Sequence, residues 1–271
     1  MSPPTNQHPT FYRPNALPVA RKQCQRTEGK CHWKLVIHHL LMKSITSNLL
    51  LCVSTGTYPC GDLGFAPVAA FSLHDRLTIA ASAAEQSQVA VTAVDDGEVV
   101  ATLKPHDAAG MVMDIKEAGE GLIAAGYEDG SVVVWDIRFP DCVKNVARLH
   151  LEPVSSFDYC GRTQRGVSAS VDGTVISWSG TELRQTAAAD VRGGVACVRA
   201  RTDGKLFAVG ACDSRIHIFS GRPKLLPLAV VRAHTQSVQS LAFNECHQLA
   251  AGSRDKTVSI WSIYKDSWTV S

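Results

Sequence analysis

The stretch AAGYEDGSVVVWDI, residues 124–137, runs from small residues through a polar turn into an alternating apolar run closed by Trp135-Asp136. Asp-Gly between two such runs is a hairpin signal, because Asp accepts backbone N–H groups and Gly tolerates positive φ. Glu128 and Asp129 could instead be a pair of carboxylates placed for chemistry. The rest of the chain decides between these readings, because the stretch recurs.

Three further copies follow: GVSASVDGTVISWS (166–179), LFAVGACDSRIHIFS (206–220) and LAAGSRDKTVSIWSI (249–263). Each places an Asp six residues before an aromatic, as Asp129/Trp135, Asp172/Trp178, Asp213/Phe219 and Asp255/Trp261. The aspartates step by 43, 41 and 42 residues. Periodicity of this length marks a repeat architecture.

Each unit resolves into short strands. In the last one, 237–243 and 256–263 alternate, 247–253 is a run of small residues, and polar triplets separate them. The same reading predicts strands at 111–115, 121–126 and 131–136, at 154–159, 166–170 and 174–178, and at 195–200, 205–210 and 215–219. A fourth strand follows at 143–149, 182–188 and 227–233. Four strands in about 42 residues is the size of one β-propeller blade, a sheet that buries both faces only against neighbouring sheets. A fifth unit with fainter marks is expected upstream, with strands beginning at 62–67 and ending near 103. It lacks the closing aromatic and the turn Asp.

These residues resemble the WD40 repeat family, whose signature pairs a His before the first strand with a Trp-Asp closing the third. His106, His150 and His234 stand at the first mark, and Trp135-Asp136 completes the second. The resemblance implies an all-β WD40 β-propeller of about five recognisable four-stranded blades, an incomplete form of a seven-bladed one. It further implies a hydrogen-bonded tetrad of His, strand hydroxyl, turn Asp and Trp. The tetrad is expected in full only as His150, Ser168, Asp172 and Trp178. The last unit has Ala251 where the hydroxyl is expected, and the unit before it has Val191 and Phe219 at the His and Trp positions.

A narrower resemblance rests on Gly-Tyr-Glu-Asp-Gly-Ser-Val-Val with Trp-Asp. It is to the guanine nucleotide-binding protein β-subunit-like group, which includes the fungal ASTRA-associated proteins. That likeness implies a non-catalytic scaffold whose partners are other proteins. These would be co-chaperones or kinase-assembly factors for phosphatidylinositol 3-kinase-related kinases, or chromatin-associated complexes. A generic adaptor, such as a ubiquitin-ligase substrate receptor, is the alternative.

Composition agrees with a globular protein: of 271 residues, 45% are hydrophobic and 19% charged, with a net charge of +2. That charge gives no general pull towards nucleic acid or anionic lipid, and the repeats show no basic stripe with interleaved aromatics. Residues 1–48 are the exception, carrying seven basic side chains against Glu28. The expected organisation is a Pro-containing basic tail over 1–30, a partial blade or linker over 31–59, the propeller over 60–266 and a short tail over 267–271. HWKLVIHHL (32–40) reads as a leftover strand, and SWTV (267–270) as a weak closing one. The apolar run near residue 40 is too polar to span a bilayer, and a cytoplasmic or nuclear protein is expected.

Chemical signatures are absent from the sequence. There is no phosphate-binding Gly-rich loop, no His-Glu-x-x-His and no Gly-x-Ser-x-Gly. Nine scattered cysteines form no Cys-x-x-Cys pair, and Cys24, Cys31 and His32 match no zinc module. No catalytic residue, metal or cofactor is expected. His150, Ser168 and Asp172 look like a hydrolase triad, but their types recur at the same offsets in other units, which a unique active site would not do. Glu128 and Arg254 remain as candidate partner contacts, since residues at that offset differ between units.

Overall fold

Alternation and small-residue runs translate directly into sheets. The computed structural model describes residues 67–263 apart from 74, 75, 84, 107 and 223, together with the strand backbones 22–27, 30–40 and 52–59. The chain divides into two units, 1–59 and 60–271. In the first, β1 (Lys22–Thr27), β2 (Lys30–Leu40) and β3 (Cys52–Pro59) form an antiparallel sheet with β2 in the middle. The stretch 32–40 is thus a central strand. The expected tail at 267–271 and its SWTV strand lie outside the described residues, as do residues 1–21.

The second unit contains five antiparallel sheets, each hydrogen-bonded in chain order. Sheet one is β4 (Val68–Leu73), β5 (Arg76–Ser82), β6 (Val89–Ala93) and β7 (Val99–Leu103). Sheet two is β8 (Val112–Gly119), β9 (Leu122–Tyr127), β10 (Ser131–Asp136) and β11 (Val143–Arg148). Sheet three is β12 (Val154–Cys160), β13 (Arg165–Ser170), β14 (Thr174–Ser179) and β15 (Arg184–Asp190). Sheet four is β16 (Val195–Ala200), β17 (Leu206–Ala211), β18 (Arg215–Ser220) and β19 (Pro227–Arg232). Sheet five has three strands among the described residues: β20 (Val238–Phe243), β21 (Gln248–Ser253) and β22 (Val258–Ser262). No helix long and apolar enough to cross a membrane occurs among the described residues.

Among the described residues the first strand of sheet one is Val68–Leu73, directly after Pro67; the strand expected from residue 62 lies, up to residue 66, outside the described residues. Proline cannot donate to a ladder, and the alternation of 68–73 is what pairs with Arg76–Ala81.

The repeat extends to geometry. In β8, β12, β16 and β20 the register shifts just after the opening valine. It shifts again next to the closing aromatic, at Val134/Trp135, Ser177/Trp178 and Ile218/Phe219. A bulge of this kind re-aims the side chain beside it.

Burial explains the middle runs of small residues. The second strands β9, β13 and β17 are almost wholly buried, whereas the outer strand β11 alternates with solvent. Sheets lie on both faces of the middle strands, and Gly, Ala, Ser and Val fill the centre of each, as in Ala124-Ala125-Gly126, Val167-Ser168-Ala169 and Ala208-Val209-Gly210.

The apolar cores sit between sheets. One joins sheets one and two around Phe71, Ile115, Tyr127 and Trp135. Another joins two and three around Val134, Phe157 and Trp178. A third joins three and four around Val175, Phe207 and Phe219, and the last joins four and five around Ile216, Ile218, Leu241 and Leu249. Stability in such a stack is roughly a sum over junctions.

Candidate functional site

The polar end of each sheet is set by its tight turn. Asp129 Oδ1 accepts the Ser131 amide at 2.9 Å and its hydroxyl at 2.6 Å, while Oδ2 lies 3.0 Å from His106 Nε2. Gly130 beside it has φ +86°, and a Cβ there would fall 2.2 Å from the His150 carbonyl. The other turn aspartates do the same local work. Oδ1 accepts the amide two residues on: Thr174 for Asp172 (2.7 Å), Arg215 for Asp213 (3.1 Å) and Thr257 for Asp255 (2.9 Å). The Thr257 hydroxyl, with its amide and that of Thr235, holds the Asp255 carboxyl well below the usual carboxylate range.

Around these turns the histidines find different partners. In sheet three His150 Nε2 lies 2.8 Å from Ser168 Oγ, and Nδ1 lies 2.7 Å from Thr174 Oγ1. Asp172 meets this network through Thr174 rather than through the imidazole. Trp178 closes the same strand, but its Nε1 finds no hydrogen-bond partner. Its ring stacks on Tyr159 at 5.5 Å and covers Gly166.

Sheet five links all the residue types in one chain. His234 Nδ1 lies 3.2 Å from Asp255 Oδ2, His234 Nε2 lies 2.8 Å from Ser259 Oγ, and Trp261 Nε1–H donates to that hydroxyl at 2.9 Å. The hydroxyl comes from the third strand, because the second carries Ala251. In sheet two no hydroxyl is offered: His106 Nδ1 is left without a partner, and Trp135 Nε1–H donates to the Lys104 carbonyl at 3.1 Å. Sheet four has Val191 and Phe219 there, both buried. Asp136 caps the end of β10, paired with Arg138 at 2.6 Å.

Ser131, Thr174, Thr257 and Ser259 escaped the sequence reading. The first three were visible as Asp-x-Ser/Thr in DGS, DGT and DKT, and Ser259 as the same-face neighbour of Trp261 at period 2. Ser259→Ala is expected to cost about 1–3 kcal/mol by leaving a buried donor unpaired. The check is urea unfolding followed by Trp261 fluorescence.

His150, Ser168 and Asp172 cannot work as a hydrolytic triad. Ser168 is 0% and His150 3% exposed, so no substrate reaches the hydroxyl. Burial also pushes the His150 imidazole down to about 4, which makes it a feeble base at neutral pH. Buried Cys197, whose thiol burial pushes up to about 12, is equally unsuited to nucleophilic attack.

The first residue of each turn is where the sheets differ. Glu128 is exposed, and one of its carboxylate oxygens accepts the Met111 amide at 3.2 Å. Val171 is 49% exposed, and Cys212 and Arg254 are exposed. Leu151, 82% exposed, lies in the loop that leads into β12. One structural position thus carries an anion, an apolar group, a thiol and a cation in turn.

A second polar row lies along the first strands. Asp114 Oδ2 accepts the Phe157 amide and the Ser156 hydroxyl, both at 3.0 Å, and Asp158 Oδ2 accepts the Ala200 amide at 2.8 Å. Lys116 pairs with Asp114 at 3.2 Å, and Arg199 reaches Ser156. Each carboxylate is spent on the backbone of the next sheet, so the row is a seam between sheets.

The family model "WD domain, G-beta repeat" matches residues 97–136 and 226–262, which are WD40 repeats. The mouse "Guanine nucleotide-binding protein subunit beta-like protein 1" is 36% identical over 61% of this chain and 53% of its own length. "ASTRA-associated protein 1" of Aspergillus flavus is 26% identical over 57% of this chain and 51% of its own. The chain therefore spans about half the length of these curated relatives. Among solved structures, the computationally designed Ika8 protein superposes with a TM-score of 0.59 at 20% identity, over 69% of this chain and 55% of that one, a likeness of fold.

Proposed function

We propose that this chain, with its WD40 repeats, is a non-catalytic platform for other proteins and serves chaperone-linked assembly of phosphatidylinositol 3-kinase-related kinases. The observation that carries a platform is the division of labour at the turns. The Asp of each turn is fixed by the fold, while the residue before it changes from Glu128 to Val171, Cys212 and Arg254. Variable side chains on a rigid frame are how loop surfaces acquire specificity. The kinase-assembly assignment draws on likeness to the β-like and ASTRA-associated proteins.

Affinity capture of the tagged chain from cells, with identification of what is retained, tests both levels. Co-chaperones of kinase maturation support the assignment, while ubiquitin-ligase subunits in their place would replace it with a ligase adaptor. Glu128→Gln gives a sharper arm, because the amide oxygen still accepts from Met111 while the charge is gone. Retention of the partner should fall about fivefold, the order of one exposed ionic contact. The melting temperature should stay unchanged.

A further inference from the structure

Each sheet ends in an outer strand, and the outer strand of sheet four is guarded unlike the others. β19 pairs only with β18 among the described residues. Its outward N–H and C=O groups form the row that an edge strand offers to another chain. Residues 154–232, which hold sheets three and four, are described save 223.

Edges are commonly blunted by charge. On β11 the exposed side chains are Lys144, Val146 and Arg148, and both cations are engaged. Lys144 lies 3.8 Å from Asp136, and Arg148 donates to the Asp129 carbonyl at 3.0 Å. β15 is bounded by Arg184 and Asp190, of opposite sign, and β7 is flanked by Glu98 and Lys104. β19 keeps Pro227 as its one guard. Leu226, Leu228 and Val230 are 52%, 44% and 49% exposed, and 225–231 carry no charge.

The ends of this apolar run are both cationic. Arg222 and Lys224 precede it and Arg232 closes it, all exposed and none in an ion pair among the described residues. Arg232 stands directly opposite Arg215, whose Nε lies 3.6 Å from Asp213 Oδ2. Like charges facing each other across a ladder are destabilising, so Arg232 costs the fold stability and finds no compensating anion in it.

We propose that β19 is a docking edge for an extended segment of a partner protein, which joins sheet four as a further strand. The segment carries alternating apolar residues between acidic ends. The docking edge presupposes that the chain is a platform for other proteins. Pro227 has no N–H to offer, so the new ladder runs over Leu228–Arg232. One acidic end meets Arg232 and Arg215, the apolar middle packs along Val230 and Leu228, and the other acidic end reaches Lys224. Backbone pairing supplies affinity and the side chains supply choice, as in other strand additions. Charge argues against a second copy as the occupant. Two β19 strands brought together in either direction set cation against cation at both ends.

Fluorescence polarisation with the full chain and a labelled synthetic peptide is the test. The probe has nine residues, the length of Lys224–Arg232, with glutamate at both ends and alternating valine and threonine between. Wild type should bind it at low salt. The same peptide with lysine at both ends should bind about tenfold more weakly, the order of two exposed ionic contacts. Arg232→Glu removes the repulsion with Arg215, so its melting temperature should hold or rise while the acid-ended probe is weakened about tenfold. N-methylation of alternate peptide residues separates a ladder from charge attraction. One phase blocks the donors that face β19 and should abolish binding, and the other leaves them free and should retain it. The proposal is overturned by a wild type that does not bind the probe, by equal binding of the lysine-ended peptide, by binding untouched in Arg232→Glu, or by binding in both N-methylated phases. The platform reading fails separately, when affinity capture from cells retains no partner protein although the purified chain binds the probe.

Discussion

Trp178→Ala is expected to lower the unfolding free energy by about 3–5 kcal/mol, the cost of emptying a buried aromatic site. That is a large fraction of the 5–15 kcal/mol typical of a native domain. Trp178 is 1% exposed and fills the junction between sheets two and three with Val134 and Phe157. Its ring lies over Gly166, where a Cβ would come within 2.0 Å of Cζ2. No side chain can move in to fill the space, because the neighbouring strands are fixed by their own pairings. The phenylalanine variants separate packing from hydrogen bonding. Trp178→Phe loses volume only, since its indole N–H has no partner. Trp135→Phe also loses the bond to the Lys104 carbonyl, worth about 1 kcal/mol more. Denaturant melts of the three variants check this, and equal costs for the two phenylalanines would refute the distinction.

Acid should find its point of attack at His150. Its imidazole is pushed by burial from 6.5 to about 4, with Asp172 opposing weakly. The unfolded chain therefore binds a proton that the folded chain refuses as pH falls below about 6.5. Stability from this group is complete above that value and is lost progressively down to about pH 4. The total is about 3 kcal/mol, from the 1.36 kcal/mol carried by each pH unit. His150→Gln should be less stable than wild type at pH 7.5, because Ser168 and Thr174 lose their partner, yet its stability should fall less between pH 6.5 and 4.5. Melting curves of both proteins across that range check the slope. Parallel curves would move the acid sensitivity elsewhere.

The sheets were legible in the sequence because their signal is redundant. Turn Asp, closing aromatic and small-residue strand each recur at one spacing, so a fault in any copy is corrected by the others. Sheet one lacks the turn Asp and the closing aromatic, and its strands were correspondingly the least legible. Its tie to sheet two runs through backbone carbonyls that no side chain announces, as in the 3.0 Å bond from Tyr127 Oη–H to Ser87 O. The polar networks were harder to read. Three residue types could be assigned by offset from the turn, but the hydroxyl of sheet five moved to Ser259 on the neighbouring strand. Adjacent strands bring different offsets to the same place, which a one-dimensional alignment hides. The seam of Asp114 and Asp158 was also invisible, since its acceptors serve amides 43 and 42 residues away.

Placing each core at a junction has a consequence for biosynthesis. A single sheet emerging from the ribosome has nothing to bury its apolar face against. The first core draws on residues from Ala69 to Val143, so it cannot condense until both sheets are out. Each later core then waits only for one more repeat of about 42 residues, and closing a loop of that length adds little entropy cost. Maturation is therefore expected to advance stepwise from the amino-terminal side, with the newest sheet always holding an unpaired apolar face until its successor arrives.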